Sequence, residues 1–204
     1  VPSLNTASHI GQWSTLDGCS VYARANERLW YATAEVRSYR RCRTPHRAMS
    51  GYGRTSMTTY GMLSTYPPTQ CGLATFAAAL ADSLRTDHDR VTIVAMVDHP
   101  QRDFPGEVDH QWVRGDIDGA GRTAAHLNNA DVVILQHEYG IFGGADGLDI
   151  VEAISLVTVP VITVFHTVLE APTPNQRFIL EDLAARSNTI VTMTTSARHR
   201  LVTR

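Results

Sequence analysis

This sequence of 204 residues contains no Lys at all. Its 18 basic side chains are therefore all Arg, set against 20 acids for a net charge of −2. An all-Arg basic set reads as codon bias in a GC-rich genome rather than as a binding signal. No nucleic-acid partner is expected. Cysteine is scarce as well. Cys19, Cys42 and Cys71 are odd in number and widely spaced, which excludes a disulfide framework and zinc-ligand spacing. A reducing cytoplasm is the expected setting. Long apolar runs are missing too, since nothing approaches the roughly 20 residues that span a bilayer. The first residues lack both the charged start and the apolar stretch of a secretory signal, and they lack an initiating Met. The expectation is therefore a piece of a longer protein.

Charge is unevenly spread along the chain. Residues 1–56 hold eight Arg against Asp17, Glu27 and Glu35, and residues 57–204 hold ten Arg against seventeen acids. The basic part is suited to phosphates or to peripheral contact with an anionic membrane surface. It has no clear hydrophobic periodicity, so an irregular leader, disordered or misassigned, is the favoured expectation for 1–56. Translation from Met49 or Met57 would follow from it.

From residue 57 the pattern changes to apolar runs alternating with helical stretches. MTTYGML (57–63), VTIVAMV (91–97), ADVVILQ (130–136), VPVITVF (159–165) and NTIVTM (188–193) read as strands. Several are rich in β-branched residues and apolar on both faces, as parallel strands covered by helices are. QCGLATFAAALADSL between them is helical, with Leu73, Phe76, Ala77, Leu80 and Leu84 expected on one face. Ala124, Ala125 and Leu127 mark a second, short helix; Leu148, Val151 and Ile154 are expected to face inward from a third. TPNQRFILEDLAARS carries its own start signal: Thr173 as cap, Pro174 at the first position, Gln176 three residues past the cap. Ser196 is expected to cap a last helix. The fold class is therefore α/β, a doubly wound, Rossmann-like parallel sheet over 57–204 with an irregular N-terminal extension.

Ligands of such sheets bind beyond the carboxyl ends of the strands. Three polar or glycine-rich loops fall there: STYPPTQCG, QHEYGIFGG and HTVLEAPTP. The first leads into a helix expected to begin near Thr69, whose N–H groups would suit a phosphate, with Gly72 allowing close approach. An ordinary tight loop with a capping Thr explains it equally well. Asp98 closes the second strand, where a nicotinamide enzyme places its ribose-binding acid. The first loop, however, has one Gly and two Pro residues instead of G-x-G-x-x-G, so that chemistry is not expected. His137 and Glu138 end the third strand and His166 the fourth. If those strands pair, the two histidines are expected to share one crevice, with His137 exchanging a proton with a sugar hydroxyl. A structural His137 is the plain alternative. His137, Glu138 and His166 as metal ligands lack H-E-x-x-H spacing, so no metal is expected. Gly143 and Gly144 either turn N–H groups toward a ligand or simply permit a long turn. Cys71, near a helix start, is expected to be a small buried residue rather than a nucleophile. A G-x-S-x-G elbow is absent, which counts against a hydrolase.

TYPPTQCGLATF, VVILQHEYGIFGG and VPVITVFHTVLEAPTPNQRFIL together resemble the N-terminal half of bacterial retaining glycosyltransferases with the GT-B fold, a group that includes phosphatidylinositol mannosyltransferases. The resemblance covers about residues 59–204. It implies an acceptor-side domain facing a second, nucleotide-sugar-binding domain, with sugar transfer that retains anomeric configuration and needs no metal or other cofactor. It implies that His137 lies at the reaction centre. It places the loop of Thr69, Gln70 and Gly72 near the donor diphosphate and acceptor, and Glu138, Gly143, Gly144, His166 and Thr167 around the same cleft. The partners implied are a nucleotide-sugar, a sugar, polyol or lipid acceptor, and the missing C-terminal domain. The 204-residue chain alone is then expected to be inactive, and the location cytoplasmic, at the inner membrane face for a lipid acceptor. A non-catalytic module that binds a glycan, polyol or lipid head group is the alternative.

Overall fold

The computed structural model describes residues 20–25, 28–32, 57–85 and 88–203. In chain order the strands and helices are β1 (Ser20–Ala25), β2 (Arg28–Ala32), β3 (Thr59–Ser64), α1 (Gly72–Leu84), β4 (Arg90–Val97), β5 (Val108–Val113), α2 (Gly119–Leu127), β6 (Val132–His137), α3 (Asp149–Ser155), β7 (Val161–Phe165), α4 (Pro174–Arg186), β8 (Thr189–Thr192) and α5 (Thr195–Val202). A single 3-10 turn, Ala145–Gly147, precedes α3.

The sheet runs β2-β1-β8-β7-β6-β3-β4-β5. The six strands from β3 to β8 are mutually parallel. Along the sheet the chain steps outward from β3 to β4 and β5, then returns to the other side of β3 with β6. This is the doubly wound, Rossmann-like order, with its switch point between β3 and β6. All five expected strands are present. β5, VDHQWV, is a sixth that sequence patterning misses, because it is an edge strand with mixed polarity. Within the leader expected to be irregular, β1 and β2 form an antiparallel pair added to β8. The rest of that expectation lies outside the described residues.

Two apolar layers flank the sheet. On one face, Ala77, Ala81 and Leu84 of α1 pack on Tyr60, Met62, Ile93 and Ile134. On the other, α2, α3, α4 and α5 cover Leu63, Met96, Leu135 and Phe165. The stripe that α1 buries is Ala74, Ala77, Ala81 and Leu84. Leu73, Phe76 and Leu80, expected inside, are only half-buried. Alanines let the helix axis approach the sheet, and the larger side chains are left at its flank. In α3 the buried residues are Ile150, Ala153 and Ile154, while Leu148 is 36% exposed. The Thr173–Gln176 capping box forms as read from sequence, with both reciprocal bonds present. The cap of α5 is Thr194, two residues before the expected Ser196. No helix among the described residues is long and apolar enough to cross a membrane.

Candidate functional site

The carboxyl ends of β3, β6 and β7 meet at the switch point, and an open crevice of about 330 Å³ lies there. Gly72, Leu73 and Phe76 of α1 form one wall; Glu138 and His166, just past β6 and β7, form the other.

Two hydrogen bonds tie down the loop before α1: the Thr69 amide donates to the Tyr66 carbonyl at 3.0 Å, and the Tyr66 hydroxyl donates to Glu107, just before β5, at 2.8 Å. Its Pro67–Pro68 bond is cis. The helix starts at Gly72, not near Thr69, because Cys71 is the capping residue. Its sulfur accepts from the Ala74 amide at 3.3 Å and lies 3.3 Å from the Thr65 hydroxyl. Cys71 is therefore an exposed cap, not the small buried residue expected. Gln70 is exposed, and the Thr69 hydroxyl is enclosed without a protein partner. Gly72 faces open space, since nothing lies within 4 Å of where its Cβ would stand.

Across the crevice, Glu138 is a fixed group. Thr167 donates to its Oε2 at 2.6 Å and the Tyr139 amide to its Oε1 at 3.0 Å. His166 is half-buried; its Nε2 lies 2.7 Å from Gln136 Oε1, and its ring and that of Phe76 stand nearly perpendicular with centroids 5.0 Å apart. Burial pushes its pKa down, and the nearby Glu138 charge partly opposes this. A neutral imidazole at pH 7 follows.

β6 and β7 do pair, and the His166 amide donates to the His137 carbonyl at 3.1 Å. Yet the two side chains do not share the crevice. Successive residues of a strand point to opposite faces. Gln136 and His166 lie on the α1 face, and His137 lies on the other. His137 has no exposure, and neither of its ring nitrogens has a hydrogen-bond partner. It sits among Tyr139, Phe142 and Phe165, at ring distances of 4.9, 6.2 and 5.3 Å. Burial, with a smaller effect from His166, pushes its pKa down to about 3.

Gly143 and Gly144 also stand apart from the crevice. Both pack against the Asp149 carboxylate at the start of α3, and Gly144 has φ 75. The turn that follows is held by α4: Asn175 and Gln176 donate to the two carboxylate oxygens of Asp146 at 2.9 and 3.0 Å. These glycines let the chain fold around an acid, so the turn-forming reading of them is the one the contacts favour.

The structure thus brings together Gly72, Glu138, His166 and Thr167. Phe76 and Gln136 join them without having been read from the sequence. Helical spacing alone puts Phe76 in the core; only its place one turn beyond the open Gly72 hints otherwise. The sequence matches no protein-family model and no curated protein. No group of three or more His, Cys, Asp or Glu side chains among the described residues is placed to hold a metal ion. Asp98, at the end of β4, is engaged by Arg114 at 2.9 Å.

Proposed function

We propose that this chain is the acceptor-side domain of a glycosyltransferase, and that the switch-point crevice receives the hydroxylated acceptor. The observation that carries this reading is the lining itself: Phe76 offers an apolar face, while His166 and the Glu138–Thr167 pair offer polar edges. That mixture suits a sugar or polyol, which presents C–H surfaces and hydroxyls together. No Arg lines the crevice, and Glu138 sets a carboxylate there. A donor diphosphate needs cationic stabilisation as it leaves. The reading therefore assigns the nucleotide-sugar to a second domain of a longer protein, and transfer activity to the two together.

A binding module without catalysis is the second reading. His137, the residue the resemblance puts at the reaction centre, is enclosed by aromatic rings on the far face. Both oxygens of Glu138 are already hydrogen-bonded.

Calorimetric titration separates these readings. Acceptor binding to this chain, with nucleotide-sugar binding and transfer only when a donor domain is restored, supports the transferase. Sugar turnover by this chain alone, or tight nucleotide-sugar binding by it, overturns the division of labour. Gly72→Leu gives a sharper check. The site for a new side chain is open and Gly72 has no positive φ, so the fold should be unharmed. The same side chain would fill the crevice. The expected result is an unchanged denaturation midpoint with acceptor binding lost; undiminished binding would place the ligand elsewhere.

A further inference from the structure

We propose that Gln136 is a positioning residue: it holds His166 as the Nε2–H tautomer, so that Nδ1 faces the crevice as an acceptor for a ligand hydroxyl. The ligand part of this rests on the reading of the crevice above; the tautomer part does not.

Gln136 ends the α1-facing row of β6, directly beneath His166. It has no exposure, so solvent cannot exchange for its partners. Its carbonyl Oε1 lies 2.7 Å from His166 Nε2. With Oε1 on the ring's side, the amide presents an atom that only accepts, and the ring nitrogen facing it then carries the proton. The edge contact with Phe76 limits rotation of the ring. The remaining nitrogen, Nδ1, has no protein partner and is not among the enclosed polar atoms. In a neutral ring with Nε2 protonated, Nδ1 bears a lone pair and no proton. It can accept from a hydroxyl but cannot donate to a phosphate or carboxylate. The carboxylate of Glu138 on the same wall acts in the same direction, against anions. The floor has a further feature: the Gln136 amide nitrogen and the hydroxyl of Ser64 are both enclosed without a protein partner. Ser64 follows Leu63, which pairs with Leu135, so the two groups sit side by side across β3 and β6. A buried polar floor of this kind specifies geometry at a cost in stability, which suits a binding site better than a core.

Nitrogen-15 NMR of the intact chain, free of ligand, tests the tautomer. The expected spectrum at pH 7 shows His166 protonated at Nε2 and bare at Nδ1. A ring protonated at Nδ1, or a mixture, overturns the proposal whatever the crevice binds. Gln136→Leu should give a mixture of tautomers, and Gln136→Glu, which keeps an accepting oxygen, should keep Nε2 protonated. If Gln136→Leu leaves the tautomer unchanged, Gln136 does not position the ring. Should that variant fail to fold, the Glu variant decides alone: it must keep Nε2 protonated and raise the His166 pKa, and any other behaviour overturns the assignment. For the ligand, methyl glucoside, its fully O-methylated form and inorganic diphosphate are titrated against the Nδ1 signal. A response to methyl glucoside alone is expected, with binding roughly tenfold weaker in Gln136→Leu, the loss typical of one hydrogen bond. A response to diphosphate, equal responses to both sugars, or no response to methyl glucoside overturns the hydroxyl-acceptor role.

Discussion

Replacing His137 with Leu is expected to abolish much of the stability loss that the protein suffers on mild acidification. The His137 pKa is about 3 in the fold, against 6.5 for an ordinary His. Between those values the unfolded chain binds a proton that the folded chain excludes, so stability rises with pH across that window. The contribution is fully present above pH 6.5 and is lost as pH falls toward the folded value. For this one group the loss between pH 7 and pH 4.5 is about 2–3 kcal/mol. Leu cannot titrate, so its variant should lack that part of the slope. His110 and His166 are also pushed down by burial, and they should leave a residual slope of the same sign. At pH 7 the variant should be as stable as the natural chain or more so. It trades an imidazole with two unpartnered nitrogens for an apolar group of similar size, and each unpaired buried polar group costs on the order of 1–3 kcal/mol. Urea denaturation at a series of pH values reads both effects. A full acid-side slope in the variant would show that burial of His137 is not its source. A large loss at pH 7 would show that the ring makes bonds essential to the fold. His137→Ala differs, since the void it leaves among three aromatic rings should itself destabilise. An activity loss in that variant would thus accompany a stability loss, contrary to what a surface catalyst would show.

Gly147→Ala is expected to cost about 3 kcal/mol or more, while Gly140→Ala in the same loop costs little. Gly147 has φ +84, and a Cβ there would stand 2.7 Å from the Tyr139 carbonyl oxygen. The obstacle is backbone, so it cannot swing aside. Left-handed φ alone costs a side chain about 1–2 kcal/mol, and the clash adds to it. Asp146 just before it also has positive φ, at 55, and is held there by Asn175 and Gln176. The turn therefore has little freedom to relax. Gly140 has no positive φ, and nothing lies within 4 Å of its Cβ position. Thermal melting of the two variants side by side checks this. Equal losses would mean that the loop is held by something other than the turn at Gly147. Because Tyr139 follows Glu138, the Gly147 variant should also weaken ligand binding at the crevice.

The strands were legible wherever both faces of the sheet are covered, because full burial demands continuous apolar runs such as VVIL. β5 was not, since an edge strand has a weaker demand on its composition. The start of α4 was legible because a capping box is local chemistry. The start of α1 was not, since a Cys sulfur served as the cap in place of the Thr two residues earlier.

The sequence by itself determined the layered α/β fold, the placement of three loops at one sheet edge, and the presence of His137, Glu138 and His166 there. Only the tertiary structure decided which of them faces the crevice. In a strand buried on both faces the apolar pattern has no period of two, so it says nothing about which side a given residue occupies. Helix packing settles that, and a change of one position reverses it. That single alternation puts Gln136 and His166 beneath α1 and His137 among the aromatic rings on the far side of the sheet.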